Sequence, residues 1–130
     1  MVDKLHGAGI PVMNMVGHPH HVEKALAAGV DMICAQGTEG GGHTGEVSTT
    51  VLLPMCVDAC KGRLSPLTGQ EVIVVAGGGM FDGRSLAAAL SLGAAGVWVG
   101  TRFIACKESG APKRHIEHVI KATVSDTTKT

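Results

Sequence analysis

The segment Val72-Ile73-Val74-Val75-Ala76-Gly77-Gly78-Gly79 is an apolar run that ends in three consecutive glycines. A strand with one face in solvent alternates apolar and polar residues, whereas a parallel strand buried on both faces is continuously apolar. A helix is expected directly after the glycines, with Asp82 as its cap and an apolar stripe of Leu86, Ala89 and Leu90. The segment therefore predicts a buried parallel strand, a glycine turn and a helix.

The same pattern of apolar run, turn and helix recurs along the chain. The other apolar runs are residues 10–16, 30–35 and 96–99. Helical spacing of apolar residues indicates helices at 20–28, after Ser48 and after Pro112. The expected stripes of the last two helices are Leu52, Met55, Cys56 and Ala59, with Pro54 in the first turn, and Ile116, Val119 and Ile120. Residues 61–70 read as a surface loop.

Four successive β-loop-α units indicate a parallel α/β fold. An open doubly wound sheet and a (β/α)8 barrel both fit this pattern, but a whole barrel needs about 250 residues. A chain of 130 residues with four units matches half of a barrel. We therefore expect one partial TIM-barrel domain over residues 1–130, the C-terminal half of a longer barrel. Residues 2–6 resemble the end of a preceding helix, and residues 125–130 a frayed tail.

The composition excludes several classes of function. The 11 basic and 11 acidic residues give a net charge of zero, which argues against nucleic acid or an anionic membrane as a partner. No apolar run approaches the ~20 residues of a membrane helix, and no signal peptide is evident, so we expect a cytoplasmic protein. The four cysteines lack metal spacing. His18, His20 and His21 are expected at a helix start on the surface, so no metal site is predicted.

The sequence Gln36-Gly37-Thr38-Glu39-Gly40-Gly41-Gly42-His43-Thr44-Gly45 follows the second apolar run. We call residues 37–45 the glycine loop. Parallel α/β proteins place their sites after the carboxyl ends of strands, and glycine lets the backbone approach a ligand closely. A histidine here can exchange a proton near neutral pH. The loop therefore predicts a site with His43 as its proton-handling group, and the alternative is a flexible turn with a solvated histidine.

Two further glycine segments follow the third and fourth apolar runs: Gly77-Gly78-Gly79 and Gly100-Thr101-Arg102. Exposed backbone N–H groups in such turns suit a phosphate, and barrel enzymes often bind phosphate after their last two strands. Arg102 either contacts an anion or forms a surface pair. The spacings of the common dinucleotide and nucleotide loops are absent. Together the two segments predict a phosphate site.

Three stretches in register resemble the nitronate monooxygenase family: residues 35–45, 74–83 and 97–103. This family consists of TIM-barrel flavoproteins with non-covalent FMN. The resemblance covers residues 10–122 and implies that Gln36 and Gly41 contact the flavin. The residues that would hold the flavin phosphate are Gly78, Gly79, Trp98, Val99, Gly100 and Thr101. His43 matches the catalytic histidine of the family.

The implied reaction is the oxidation of an alkyl nitronate with O2 to a carbonyl compound and nitrite. With a neutral nitroalkane as substrate, His43 would remove the proton from the carbon beside the nitro group. Alternatives on the same scaffold are an FMN-dependent enoyl-[acyl-carrier-protein] reductase and an NAD(P)H:quinone reductase. A non-catalytic half barrel, which could associate with a second copy through its open sheet edges, is a further alternative.

Overall fold

The computed structural model describes residues 1–42 and 44–126. Its centre is one sheet of four parallel strands in the order β1-β2-β3-β4, which is also their order in the sequence. The strands are β1 (Met13–Val16), β2 (Met32–Gln36), β3 (Ile73–Gly77) and β4 (Gly96–Trp98). Each predicted apolar run therefore contains a strand, and the predicted parallel α/β fold is confirmed.

Helices follow every strand. They are α1 (Val2–His6), α2 (His20–Ala27), α3 (Thr49–Cys60), α4 (Gly83–Ser91), α5 (Thr101–Ile104) and α6 (Lys113–Lys121), with a short 3-10 helix at Lys107–Ser109. The short α5 was not expected as a separate helix. The described part of the chain contains no helix that is long and apolar enough to cross a membrane.

The two faces of the sheet differ. One face packs against α2, α3 and α4, and its side chains are buried: Val16, Ile33, Ala35, Val74 and Ala76. The strand register places Met15, Cys34 and Val75 side by side on the opposite face. On that face Met15 is 40% exposed and Ile73 is 44% exposed. The core therefore lies between the sheet and one layer of helices.

The expected apolar stripe of α3 was partly wrong. Leu52 and Cys56 are fully buried as predicted, but Met55 is 50% exposed. The residues that share the buried side with them are Thr49, Leu53 and Cys60. Pro54 lies in the second turn of α3, not the first, because the helix begins at Thr49. Burial of the leucines against the sheet offsets the backbone hydrogen bond that a proline cannot donate.

The start of α4 agrees with its prediction. The Asp82 carboxylate accepts hydrogen bonds from the backbone N–H groups of Arg84 and Ser85, which completes a capping box. Of the expected stripe only Ala89 is buried, since Leu86 is 38% and Leu90 49% exposed. The α4 helix therefore contributes little side-chain volume to the core.

A network around Asp31, at the amino ends of the strands, was not expected from the sequence. The buried Asp31 carboxylate lies 2.8 Å from His6 Nε2 and accepts hydrogen bonds from Val12 N at 2.6 Å and Ser65 Oγ at 2.6 Å. Leu67 N lies 3.4 Å from the same group. The network joins α1, the start of β1 and the 61–70 loop, so one carboxylate closes this end of the sheet.

Candidate functional site

A cleft of about 1030 Å³ lies at the carboxyl ends of β2, β3 and β4. Its floor is formed by the segments that directly follow these strands, and α5 and α6 form one side. The lining residues are Gln36, Glu39, Gly40, Gly41, Gly78, Gly79, Met80, Phe81, Trp98, Gly100, Thr101, Arg102, Phe103, Ala105, Cys106, Val119, Ile120, Ala122, Thr123 and Val124. The location is the one that parallel α/β folds use for ligands.

Residues predicted from the sequence to bind a cofactor meet in this cleft. Those that line it are Gln36, Gly41, Gly78, Gly79, Trp98, Gly100 and Thr101. Val99 follows β4 and does not line the cleft. His43, the predicted catalytic residue, lies outside the described residues. The three glycine segments are therefore parts of one site.

The turn after β3 presents unused hydrogen-bond donors to the cleft. Gly78 and Gly79 adopt φ angles of +87° and +70°, a region that strains any residue with a side chain. Their backbone N–H groups donate to no backbone carbonyl in the described part of the chain. Two adjacent free N–H groups in a glycine turn can bind an anion such as a phosphate.

Cleft glycines elsewhere leave space that the protein does not fill. A Cβ atom at Gly41 or Gly100 would have no described heavy atom within 4 Å beyond the two neighbouring residues of the chain. Packing within the chain therefore does not require glycine at either position. Their lack of a side chain instead keeps the cleft wide where a bound group can approach the backbone.

The glycine loop spans the carboxyl ends of three strands. At one end, Gly37 N donates to Gly77 O at 3.1 Å, and a Cβ at Gly78 would lie 2.9 Å from Gly40 N. At the other end, Gly45 packs directly against the backbone of Gly17, which follows β1, and neither position has room for a Cβ. Backbone contacts at both ends thus fix the course of the loop.

Gln36, the last residue of β2, supports the middle of this loop. Its side chain is buried, and Nε2 donates to Gly41 O at 2.9 Å. A Cβ at Gly40 would lie 2.5 Å from the same nitrogen, so the loop folds directly over the amide. Gln36 therefore holds the glycine loop as well as lining the cleft.

Glu39 connects the glycine loop to the start of α3. Its carboxylate accepts hydrogen bonds from Thr49 N at 3.1 Å and from Thr49 Oγ1 at 2.8 Å. Glu39 is exposed to the cleft, whereas Thr49 is buried. No local pattern assigns Glu39 a role, since its partner lies ten residues further along the chain.

The rim of the cleft carries apolar side chains, of which the sequence predicted only Trp98 as a site residue. Trp98 is 50% exposed, and the other exposed members of the rim are Phe81, Phe103 and Ile120. Trp98, Phe81 and Phe103 are all the Phe, Trp and Tyr residues of the chain. Their clustering at one end of the sheet is a signal that the sequence contained. The rim can bind an apolar ligand or part of one.

The expected stripe of α6 does not belong to the core, and two of its three residues line the cleft. No residue of α6 is buried, and Ile120 is 67% exposed. Val119 and Ile120 instead line the cleft. The opposite side of the helix carries Lys113, Arg114, Glu117, His118 and Lys121, which gives α6 a mainly basic outer surface.

Charges near the cleft are few. Arg102, for which the sequence leaves an anion contact and a surface pair open, lines the cleft. A hydrogen bond from the Arg84 side chain and others from backbone N–H groups lower the pKa of Asp82, and the positive charge of Arg102 contributes. The cleft therefore has one basic side chain beside its glycine turns.

Two polar features lie in or beside the glycine loop. Within the loop, Thr44 Oγ1 is buried and has no hydrogen-bond partner among the described residues. The rings of His18, His20 and His21 contact one another at the start of α2, with the first two centroids 4.7 Å apart. No cluster of three potential metal ligands exists among the described residues, and the histidines remain at a helix start as expected.

The thiols divide into two groups. Cys34, Cys56 and Cys60 are buried, whereas Cys106 is partly exposed and lines the cleft. Burial raises the pKa of the Cys34 thiol to about 11, and burial together with the nearby Cys60 raises that of Cys56 to about 12. Only Cys106 among them borders the proposed site.

Residues 1–130 match the nitronate monooxygenase family. The chain is 44% identical over 131 residues to (3aS,4S,5R,7aS)-5-hydroxy-7a-methyl-1-oxo-octahydro-1H-indene-4-carboxyl-CoA dehydrogenase of Mycobacterium tuberculosis, covering 98% of this chain and 35% of that protein. It is 39% identical over 114 residues to nitronate monooxygenase of Neurospora crassa, covering 87% of this chain and 30% of the relative.

Among solved structures, FabK from Thermotoga maritima superposes with a TM-score of 0.81 at 35% identity, covering 98% of this chain and 38% of FabK. The four β/α units correspond to a part of a TIM barrel. The chain spans about a third of the length of the curated relatives that it matches.

Proposed function

The chain belongs to the nitronate monooxygenase family, and on that premise we propose that its cleft binds FMN and serves the oxidation of alkyl nitronates by O2. Members of the family are flavoproteins and oxidoreductases. The observation that carries the proposal is the convergence of three glycine segments on one cleft beside the free N–H groups of Gly78 and Gly79.

The residues present fit the two parts of FMN. The Gly78–Gly79 turn offers donors for the phosphate, and Thr101 adds a hydroxyl group on the same cleft. The exposed rings of Phe81 and Phe103 at the rim suit a flat, mainly apolar ring. The cleft volume of about 1030 Å³ is also sufficient for a ligand larger than a small substrate.

When bound, FMN would supply the redox chemistry by taking electrons from the substrate for transfer to O2. The residues of this chain bind and orient the reactants and move a proton. His43 is proposed as the base that removes the proton from the carbon beside a nitro group, since histidine titrates near neutral pH. Gln36 would keep the loop that carries His43 folded through its bond to Gly41 O.

The first experiment mixes the purified chain with FMN, separates free flavin by gel filtration and records the visible spectrum. We expect flavin absorbance to elute with the protein. Oxygen uptake with a nitroalkane and with its preformed nitronate follows, in wild type and His43→Ala. His43→Ala should impair the neutral nitroalkane much more than the nitronate, because only the first needs the base. A colourless protein would contradict the proposal for this chain.

A second candidate is the oxidation of an acyl-CoA thioester at the same cleft. The observation that favours it is the combination of an exposed apolar rim with the basic outer side of α6, which suits a bulky acyl group and the phosphates of CoA. The similarity to a protein named as a CoA dehydrogenase supports this candidate. An acyl-CoA would then reduce the bound flavin under anaerobic conditions.

Substrate assays separate these candidates from the reductases. Flavin bleaching by an acyl-CoA without O2 would favour the thioester, and nitrite release from a nitronate would favour the monooxygenase. NADH consumption with an enoyl thioester, or with a quinone, would instead favour one of the two reductases considered from the sequence.

A further inference from the structure

Glu39 has no part in the proposed chemistry, although it belongs to the glycine loop and lines the cleft together with Gly78 and Gly79. We propose that Glu39 is a positioning residue that holds the glycine loop against the Gly78–Gly79 turn through Thr49. The contact would make the segment that carries His43 and the segment proposed to bind phosphate move as one unit. The identity of the ligand rests on the proposed function, whereas the contact itself does not.

The first part of the contact is an unusual cap of α3. Ser48, the N-cap residue of α3, forms no side-chain capping bond. Glu39 takes its place from the glycine loop, because its two carboxylate oxygens lie 3.2 and 3.1 Å from Thr49 N. A carboxylate at a helix N-terminus satisfies a free N–H group and interacts favourably with the helix dipole. The loop is thus bound to a helix that packs on the sheet.

The second part reaches the turn after β3. Thr49 Oγ1 donates to the Glu39 carboxylate at 2.8 Å and also lies 3.4 Å from Gly78 O. The aliphatic part of Glu39 packs beside Gly79, where an added Cβ would lie 3.4 Å from the Glu39 Cβ. Loop, helix and turn therefore meet at one pair of side chains.

The contact also explains one glycine of the loop. A Cβ at Gly37 would lie 2.6 Å from a Glu39 carboxylate oxygen and would overlap Thr49. Gly37 is therefore required by the Glu39–Thr49 pair and not by a ligand. A Cβ added at Gly41, in contrast, would meet no described atom within 4 Å beyond its chain neighbours. Gly41 lies where the ligand is proposed to bind.

Two measurements on the full chain test the proposal. Hydrogen exchange follows the Thr49 and Gly40 amides without ligand, and a titration gives the FMN dissociation constant of the folded protein. The disrupting variants are Glu39→Ala and Thr49→Val. Their matched controls are Glu46→Ala, directly after the glycine loop, and Thr50→Val, since Glu46 and Thr50 are exposed.

We expect Glu39→Ala to accelerate exchange at both amides and to weaken FMN binding about tenfold, as for one charge-assisted hydrogen bond. Thr49→Val should act similarly, and Thr49→Ser should restore wild-type values because it keeps the hydroxyl. The double variant should be hardly worse than Glu39→Ala, since both changes break the same contact. The two controls should match wild type.

The proposal is wrong if Glu39→Ala changes exchange and affinity no more than Glu46→Ala does. It is also wrong if Glu39→Ala lowers only the unfolding temperature while affinity stays the same, or if the two disrupting variants are additive. Should wild type bind no FMN, the proposed function fails for this chain. Exchange at Thr49 and Gly40 in the ligand-free variants then still decides whether Glu39 positions the loop.

Discussion

The two ends of the sheet are built in opposite ways. At the amino ends of the strands, the buried Asp31 receives hydrogen bonds from three other segments. At the carboxyl ends, the N–H groups of Gly78 and Gly79 have no backbone acceptor among the described residues, and a cleft of about 1030 Å³ is open. Saturated polar groups stabilise a fold, whereas available ones bind ligands. The comparison indicates that stability and function reside at different ends.

The largest effect is expected on stability, when the Asp31 network at the amino ends of the strands is removed. Asp31→Ala leaves buried donors unpaired and should lower the free energy of unfolding by about 3 kcal/mol. Urea denaturation measures the change. Asp58→Ala is the control, because its pair with Lys61 is largely exposed and should contribute less than about 1 kcal/mol. If Asp31→Ala also weakened FMN binding by the folded protein, the separation of the two ends would be incorrect.

A substitution in the cleft, at the carboxyl ends of the strands, should specifically weaken FMN binding. Gly79→Val places a side chain in the cleft at φ +70° and should weaken FMN binding about 30-fold, equivalent to about 2 kcal/mol. Gly69→Val is a matched control, since Gly69 has φ +68° and lies outside the cleft. Both variants should lose similar stability, but only Gly79→Val should lose flavin. Fluorescence titration measures the affinity, and His43→Ala should change it less than about threefold.

Acid should weaken the Asp31 network at the amino ends of the strands. Burial alone would raise the pKa of Asp31, but hydrogen bonds from Ser65, Val12, His6 and Leu67 outweigh it and lower the pKa to about 2. A depressed pKa stabilises the fold above the ordinary value of 3.8, and this stability is lost as the pH falls through about 2. Between these values, wild type should lose stability faster than Asp31→Asn. Equal slopes in urea titrations would contradict this assignment.

The smallest effect concerns thiol reactivity. Cys106 should react with Ellman's reagent within seconds to minutes, while Cys34, Cys56 and Cys60 should react only after unfolding because burial hinders the thiolate. FMN should slow the reaction of Cys106, which lines the cleft. Cys106→Ser is the control and should abolish the fast phase. A fast phase that FMN leaves unchanged would place the flavin elsewhere.

Much of the fold could be predicted because it depends on local patterns. Continuous apolar runs gave the strands, and the Asp82 cap gave the start of α4. The predicted apolar stripe of α3 was wrong at Met55. Apolar residues cover most of that helix, so periodicity cannot select its buried side. The Asp31 network could not be predicted for another reason. Its partners lie 19 to 36 residues away and leave no local signal.

The candidate site divides in the same way. Glycine segments directly after strands were recognisable, and all three border the cleft. The role of Glu39 depends on Thr49, which the chain brings near only after α3 docks on the sheet. Burial of Ile120 in the core was predicted because it lies on an apolar helix face, yet this residue is exposed and borders the cleft. Long-range packing thus decides which polar and apolar groups reach the site.

The double attachment of the glycine loop restricts how this protein can be redesigned. Because one end of the loop rests against Gly77 and Gly78 and the other against Gly17, the number of residues between them is fixed by the distance across the strands. An inserted or deleted residue would break one attachment. Residues 105–112, by contrast, connect α5 to α6 and contain no buried residue. Insertions or deletions that reshape the cleft for a new substrate should therefore be made in the connection between α5 and α6.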